Sequence, residues 1–371
     1  MKRKAQKILF LIIVVLAVVG VGIYFLIKYQ TCEYVQVTHT YQNDSTDNAN
    51  YRHCMDGILR YSRDGIALLT EEGEEIWNHP SQMNNPIVEA CGNSLAVGDK
   101  GGTSIYVFQK KGLKGEIHTT RPIEKMAVSS QGIVSAILRD EETPLVMCYD
   151  AKGNILVEHK SSVKNMGYPL DVAISEDGNT LLVSYLYTQQ NKIVTKVVYY
   201  YFGEGAKDKG DYEVQQKEFE NTLIPTTAFL DKDISLLVAQ NTVLLYKGLE
   251  KPEEFSKIKL KKEIQSVAYN KETIAVVLKN DGTEGYTLCI YDTKGKQRAS
   301  VGFEKEYSHI KVEDGQVMMY DGQLCSIYMK NGTKKYEGKM DDKIMEIFPI
   351  AGLNKYMVIN TSGFQEVKLV R

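Results

Sequence analysis

Tyr291-Asp292-Thr293-Lys294-Gly295 ends an apolar, β-branched run in a tight polar turn, and the same arrangement recurs along the chain. A large apolar residue stands four positions before a glycine at Leu69/Gly73, Phe108/Gly112, Tyr149/Gly153, Tyr201/Gly205, Leu244/Gly248, Tyr291/Gly295 and Tyr328/Gly332. The glycines are separated by 39, 41, 52, 43, 47 and 37 residues, the spacing of propeller blades. Each pair reads as a strand delivering a bulky side chain to an interface between repeats, followed by a turn whose glycine adopts a conformation that a Cβ disfavours.

Between these turns lie further strand pairs, such as Ile87 to Cys91 with Ser94 to Gly98, and Val172 to Ser175 with Thr180 to Tyr185. Four short strands per unit follow. Two charged stretches, Tyr212 to Glu220 and Lys251 to Lys257, read as faintly helical insertions in the longer intervals. The last unit offers Ile344 to Ile350, Lys355 to Thr361 and Phe364 to Val370, so its fourth strand must come from elsewhere. The alternating segment Glu33 to Tyr41 (EYVQVTHTY) is the candidate. Pairing the two ends would abolish an open sheet edge. Seven turns plus one truncated unit predict an all-β, eight-bladed propeller. Seven blades is the alternative, because the unit from Tyr51 to Asn78 has a weak innermost strand.

Ile8 to Ile27 is 20 residues without a charge, enough to cross a hydrocarbon core of about 30 Å as a helix. Lys2, Arg3, Lys4 and Lys7 precede it and Lys28 follows, which places the N-terminus in the cytoplasm and the rest across the membrane. A cleaved signal sequence competes, but the run is longer than an ordinary signal core and no clear cleavage site follows. The polar residues before Cys32 do not resemble a lipidation site. The expected organisation is a basic tail (1–7), a transmembrane helix (8–27), a membrane-proximal segment (28–56) containing the closing strand (33–41), and an extracytoplasmic propeller (57–371).

The chain carries 45 Lys and Arg against 47 Asp and Glu. Residues 1–30 hold five of the bases and no acid, leaving a mildly acidic remainder of 40 bases and 47 acids. That balance argues against a nucleic-acid partner, which requires a dense basic surface. Of six cysteines, Cys91, Cys148, Cys289 and Cys325 lie in apolar runs and read as core. Cys32 and Cys54 flank a polar segment, including Asn43 to Asn50, and their pairing is left open.

Ser175-Glu176-Asp177-Gly178-Asn179-Thr180-Leu181 resembles the Ser-x-Asp-Gly-x-x-Leu hairpin of bacterial β-propellers, and Gly73-Glu74-Glu75-Ile76-Trp77 resembles one end of the tryptophan docking motif of quinoprotein-like propellers; likeness to WD40-like propellers is weaker. At the other turns the docking tryptophan is replaced by Glu116, Val157, Lys209, Pro252, Ala299 and Tyr336, which makes blade packing the reading of Trp77 and not quinone chemistry. The whole layout is similar to an uncharacterised family of membrane-anchored extracytoplasmic propellers of Gram-positive bacteria. The residues that carry this are the basic start and apolar run, Arg60-Tyr61-Ser62-Arg63-Asp64-Gly65, Ile76-Trp77-Asn78 and Gly167-Tyr168-Pro169-Leu170-Asp171. The resemblance implies architecture and location and supplies no active site.

Signatures of catalysis are missing: no Gly-x-Ser-x-Gly, His-Glu-x-x-His, Cys-x-x-Cys or phosphate loop occurs. Gly203-Glu204-Gly205 reads as a turn. His39, His53, His79, His118, His159 and His309 share no metal-ligand spacing. Asp56, Asp64, Asp177, Asp281, Asp314 and Asp321 each precede glycine and read as turn residues, while Asp140-Glu141-Glu142 and Asp341-Asp342 read as solvated connections. Asn43-Asp44-Ser45, Asn331-Gly332-Thr333 and Asn360-Thr361-Ser362 match the glycosylation pattern and would go unused in bacteria. Tyr199-Tyr200-Tyr201-Phe202 offers an aromatic platform of which strand alternation buries about half.

No catalytic, cofactor or metal residue is therefore expected, and the ligand-binding residues are unknown. The expected function is recognition or scaffolding of an envelope protein, a peptide or a glycan. The alternative is an envelope enzyme whose site is assembled across blades. Close carboxylates or a His–carboxylate group in the channel mouth would favour the enzyme.

Overall fold

The computed structural model describes residues 2–41, 49–160, 166–203, 212–280, 282 and 285–371. Eight four-stranded antiparallel sheets form a ring of blades, each a meander from the axis outward. The innermost strands, in order of blades 1 to 8, are Asn50–Cys54, Pro86–Cys91, Ile123–Val128, Tyr168–Ile174, Thr226–Asp231, Ile264–Tyr269, His309–Glu313 and Ile344–Pro349.

Burial follows from the packing of blade against blade. Second strands such as Ser94–Asp99 and Val134–Leu138 are buried along their whole length, because a neighbouring blade covers each face. Outer strands such as Glu253–Lys259 have long exposed stretches. The apolar core is thus a set of seams: Ile105 and Val107 of blade 2 meet Met126, Ala136 and Met147 of blade 3. Among the described residues, every turn glycine of the repeat has positive φ: Gly73, Gly112, Gly153, Gly248, Gly295 and Gly332. Gly205 lies outside the described residues.

Blade 8 is completed by the start of the chain. Tyr34–Tyr41 lies antiparallel along Gly363–Val370, with Tyr34 opposite Val370, Val37 opposite Val367 and Tyr41 opposite Phe364. The Glu33 amide donates to the Val370 carbonyl at 2.9 Å. Phe364 is fully buried and meets Tyr51 of blade 1 edge-on, ring centres 5.8 Å apart.

Helix α1 spans Lys2–Tyr29, and its stretch Phe10–Tyr29 is long and apolar enough to cross a membrane. Its C-terminal end is tied to the ring. Lys335, only 2% exposed, donates from Nζ to the carbonyls of Ile27 (3.2 Å) and Lys28 (2.7 Å) and to Asn354 Oδ1 (2.6 Å). A cation satisfying the last carbonyls complements the negative end of the helix dipole. Burial pulls the Lys335 ammonium below the ordinary lysine value, with the Cys32 thiol opposing and Lys28 reinforcing that pull. Cys32 is buried in the seam between blades 7 and 8, its amide donating to the Lys335 carbonyl at 2.8 Å.

Several expectations change. The expected eight blades are present and the seven-bladed alternative falls, because Asn50–Cys54 is a complete innermost strand; blade 1 therefore includes residues ahead of Gly57. The stretches read as faintly helical are outer strands, Glu213–Glu220 and Glu253–Lys259. Their solvent-facing positions carry charges that obscure the alternation. Blade 4 is longer because two of its strands, Thr180–Gln189 and Lys192–Tyr201, have ten residues each. Tyr199 and Tyr200 are both buried, which removes the aromatic platform as a surface. Cys32 and Cys54 lie in different seams, and all six cysteines are free. Most of Asn43 to Asn50 and all of Asn43-Asp44-Ser45 fall outside the described residues, as does Asp281.

Replacing Tyr34–Tyr41 by a Gly/Ser stretch of equal length should leave Gly363–Val370 as an unpaired edge. We expect aggregation in size-exclusion chromatography and loss of a single cooperative melt. A monomeric variant melting like the wild type would contradict the role of this strand.

Candidate functional site

Each innermost strand alternates side chains between the axis and the seams. Six blades each place one polar residue around the same axial cavity: Arg52, Glu89, Lys125, Asp171, Thr227 and Tyr269, from blades 1 to 6 in order. The cavity holds about 540 Å³, within the size range of small-molecule sites. Charge alternates around the first four positions.

Two of these residues are committed to each other. Lys125 Nζ lies 2.8 Å from Asp171 Oδ1, and Asp171 Oδ2 accepts from the Thr227 amide at 2.6 Å and its hydroxyl at 3.1 Å. Arg52 Nη1 donates to the Val88 carbonyl at 2.6 Å, which leaves other guanidinium donors open. The Glu89 carboxylate, open to the lumen, makes no hydrogen bond or ion pair among the described residues. Enclosure by the blades raises its carboxyl above the ordinary range; Arg52 works against this, Asp171 adds to it and Lys125 opposes it. Tyr269 comes from the blade diametrically opposite. Burial raises its hydroxyl strongly, and Glu89 is the charge that adds most to that rise.

The cavity extends to the strand ends at Gly92, Glu176, Asp231 and Lys271. Asn270 and Lys271 also line a second cleft of about 520 Å³, whose far wall is Lys28 and Tyr29 at the end of α1. The channel therefore opens on the face from which the helix departs.

A separate polar group closes the ring across blades 7, 8 and 1. His53 Nδ1 makes a short hydrogen bond with Glu313, and Lys311 Nζ reaches Glu313 at 3.0 Å and Glu346 at 2.7 Å. The His53 ring stacks on Phe348 at 3.9 Å. Burial is the largest influence on Glu313 and pushes its carboxyl up, but the His53 hydrogen bond and the Lys311 charge outweigh it and hold the group below its ordinary range. Burial likewise pulls Lys311 down, and the charges of Glu346 and Glu313 reverse this to leave it raised. This is a His–carboxylate group, but none of its members lines the axial cavity and its charges are spent on one another. It acts as a brace.

The remaining residues singled out by sequence are scattered. Trp77 stacks on Phe108 of blade 2 at 4.6 Å, which is blade packing. Asp177 accepts from the Ser175 hydroxyl at 2.6 Å and the Asn179 amide at 3.1 Å, forming the hairpin turn. Asp140 accepts the amides of Glu142 and Thr143, and Asp342 binds the hydroxyls of Thr361 and Ser362, so both acidic pairs organise loops. Among the described residues no three His, Cys, Asp or Glu side chains gather as metal ligands. Burial raises the Cys54 and Cys148 thiols to about 11, away from nucleophilic reactivity. The six lumen residues carried no motif. Their trace in the sequence is a polar or charged side chain within an innermost run, plain at Asp171 in Tyr168–Ile174 but blurred where Glu124 precedes Lys125, Thr226 precedes Thr227 and His53 follows Arg52.

Lys311→Met should strand Glu313 and Glu346 without their cation and cost about 3 kcal/mol, read by chemical denaturation. The depressed Glu313 pKa adds a pH dependence. Its stabilisation is complete above the ordinary value of 4.5 and is lost as pH falls through the lower folded value. Acidification below about pH 4.5 should therefore lower the Tm of the wild type more than that of Glu313→Gln. Equal losses would contradict the brace.

A family model described as a family of unknown function (DUF5711) matches residues 28–369, and the chain belongs to that family. No curated protein matches the sequence. The fold is similar to the crystal structure of BamB from Moraxella catarrhalis, with TM-score 0.55 and 11% identity over 90% of this chain and 99% of that one. It is also similar to apo AztD from Citrobacter koseri, with TM-score 0.56 and 11% identity over 80% of this chain and 87% of that one. At this identity the likeness extends to the propeller fold alone.

Proposed function

We propose that this member of the family is a membrane-held binding module. In this reading α1 stays as an anchor with its basic start in the cytoplasm, and the propeller stands outside, recognising an envelope protein, a peptide or a glycan through its channel. The basic residues before the apolar run support the orientation. The observation that carries the binding role is the lumen itself: residues from six blades converge on one cavity, and Glu89 there is left without a partner. Glu89 is solvent-exposed inside the channel, so its carboxylate is within reach of an entering ligand. A carboxyl raised by its surroundings within a cleft is characteristic of functional sites. Asp171, Glu313 and Glu346 near the axis are tied to lysines, which favours recognition over acid–base chemistry at their level; Glu176 and Asp231 stand apart at the strand ends of the cavity.

The mouth position follows from the tie between Lys335 and the helix end. With α1 inserted, Asn270 and Lys271 lie on the bilayer side of the ring, and the turns at the opposite ends of the blades face outward.

A photo-crosslinking residue at Asn270 in membranes should capture a partner that the same residue at Asn241, on the opposite face, does not. Equal capture at both positions, or none at Asn270, would overturn the channel as the binding site. A reporter fused after Arg371 should be active outside the cytoplasm. Activity confined to the cytoplasm would reverse the orientation.

A further inference from the structure

Deep in the lumen the Glu89 carboxylate is unengaged, the Arg52 guanidinium is partly engaged and the Tyr269 phenol has no hydrogen bond among the described residues, and these three do not satisfy one another; Glu176, Asp231 and Lys271 stand farther out, at the strand ends. Arg52 and Glu89 sit on adjacent blades, yet no ion pair joins them; Arg52 is spent in part on the Val88 carbonyl. Tyr269 faces Glu89 from across the ring, with no hydrogen bond between them. Lys125 and Asp171 neutralise each other, so Arg52 and Glu89 supply the charges left without an ion pair at this level of the cavity. A bare anion entering would meet Glu89 and Asp171, and a bare cation would meet Arg52 and Lys125. A molecule carrying both charges meets neither penalty.

We propose that the lumen binds a small zwitterion of amino-acid to dipeptide size, its ammonium held between Glu89 and Tyr269 and its carboxylate by Arg52. This rests on the reading of the propeller as a binding module. A volume of about 540 Å³ accommodates a free dipeptide with room for its side chains. The ammonium donates to the Glu89 carboxylate, which has no other donor among the described residues, and the phenol oxygen supplies a second acceptor. The guanidinium offers paired N–H donors of the geometry a carboxylate takes.

The test uses the full chain in detergent micelles. A panel of free amino acids and free dipeptides, including glycylglycine and alanylalanine, is added at millimolar concentration while the Tm is followed, and binders are titrated by calorimetry. At least one free dipeptide or amino acid should raise the Tm, and the same compound acetylated at its amine and amidated at its carboxylate should not. Glu89→Gln should weaken the binding by about tenfold, the loss of one charge-assisted hydrogen bond. Tyr269→Phe should weaken it less, with both variants melting like the wild type when no compound is added. The proposal is overturned by any of three results: no compound raises the Tm, the blocked compound raises it equally, or Glu89→Gln binds as the wild type does. The two readings separate in the crosslinking at Asn270. Capture that persists undiminished in Glu89→Gln, with no dipeptide response in the wild type, would remove the zwitterion site and leave the binding module standing.

Discussion

Tyr34–Tyr41 holds on to Gly363–Val370 from the far end of the chain, and the rest of the ring depends on that ladder. A propeller has no single core to fall back on. Each blade is buried by its two neighbours, so a blade short of one strand weakens the seams on both sides. Blade 8 without its first-made strand would leave one side of Gly363–Val370, with its buried Phe364, Val367 and Leu369, unsupported. The brace of His53, Glu313, Lys311 and Glu346 crosses the same joint from the axial side. Closure is thus secured twice, by backbone pairing at the rim and by charge near the axis.

The two polar groups around the axis use the same kinds of residue to opposite ends. In the brace every charge has an opposite charge within 3.0 Å or a short hydrogen bond, and the group gives rigidity without access. In the lumen the Lys125–Asp171 pair is similarly satisfied, but Arg52, Glu89 and Tyr269 keep bonding capacity in reserve. Rigid walls make such reserve useful. Side chains held by blade packing lose little entropy when a ligand arrives, so the ligand's own charges decide the affinity.

The turns were legible because a glycine at positive φ and a bulky residue four positions earlier are both local requirements, as Gly295 and Tyr291 illustrate. The closing strand was legible for a similar reason: the alternation in Tyr34–Tyr41 is a one-segment signal. Charge hides the alternation of other strands. Glu213–Glu220 and Glu253–Lys259 are edge strands whose solvent-facing lysines and glutamates imitate a polar helix. Asn50–Cys54 looked weak as a strand because Arg52 points to the lumen and His53 belongs to the brace. That same departure from an apolar pattern marks the strand's two polar roles, one at the lumen and one in the brace. The lumen as a whole stayed hidden, since its six members stand dozens of residues apart and only closure of the ring brings them together.

The closing ladder joins Thr38 to Glu366 across 328 residues, and that separation sets a clock on biogenesis. At 5–20 residues per second, roughly 15 to 65 s pass between synthesis of the first strand and arrival of its mate. Throughout that interval Tyr34–Tyr41 waits with both edges open, tethered within a few residues of α1. Seven blades can stack in sequence as they emerge, but the ring stays a horseshoe until the last strand is made. The nascent chain is therefore most exposed to strand exchange with a second copy just before completion, and an escort for that one edge would shape the yield of folded protein.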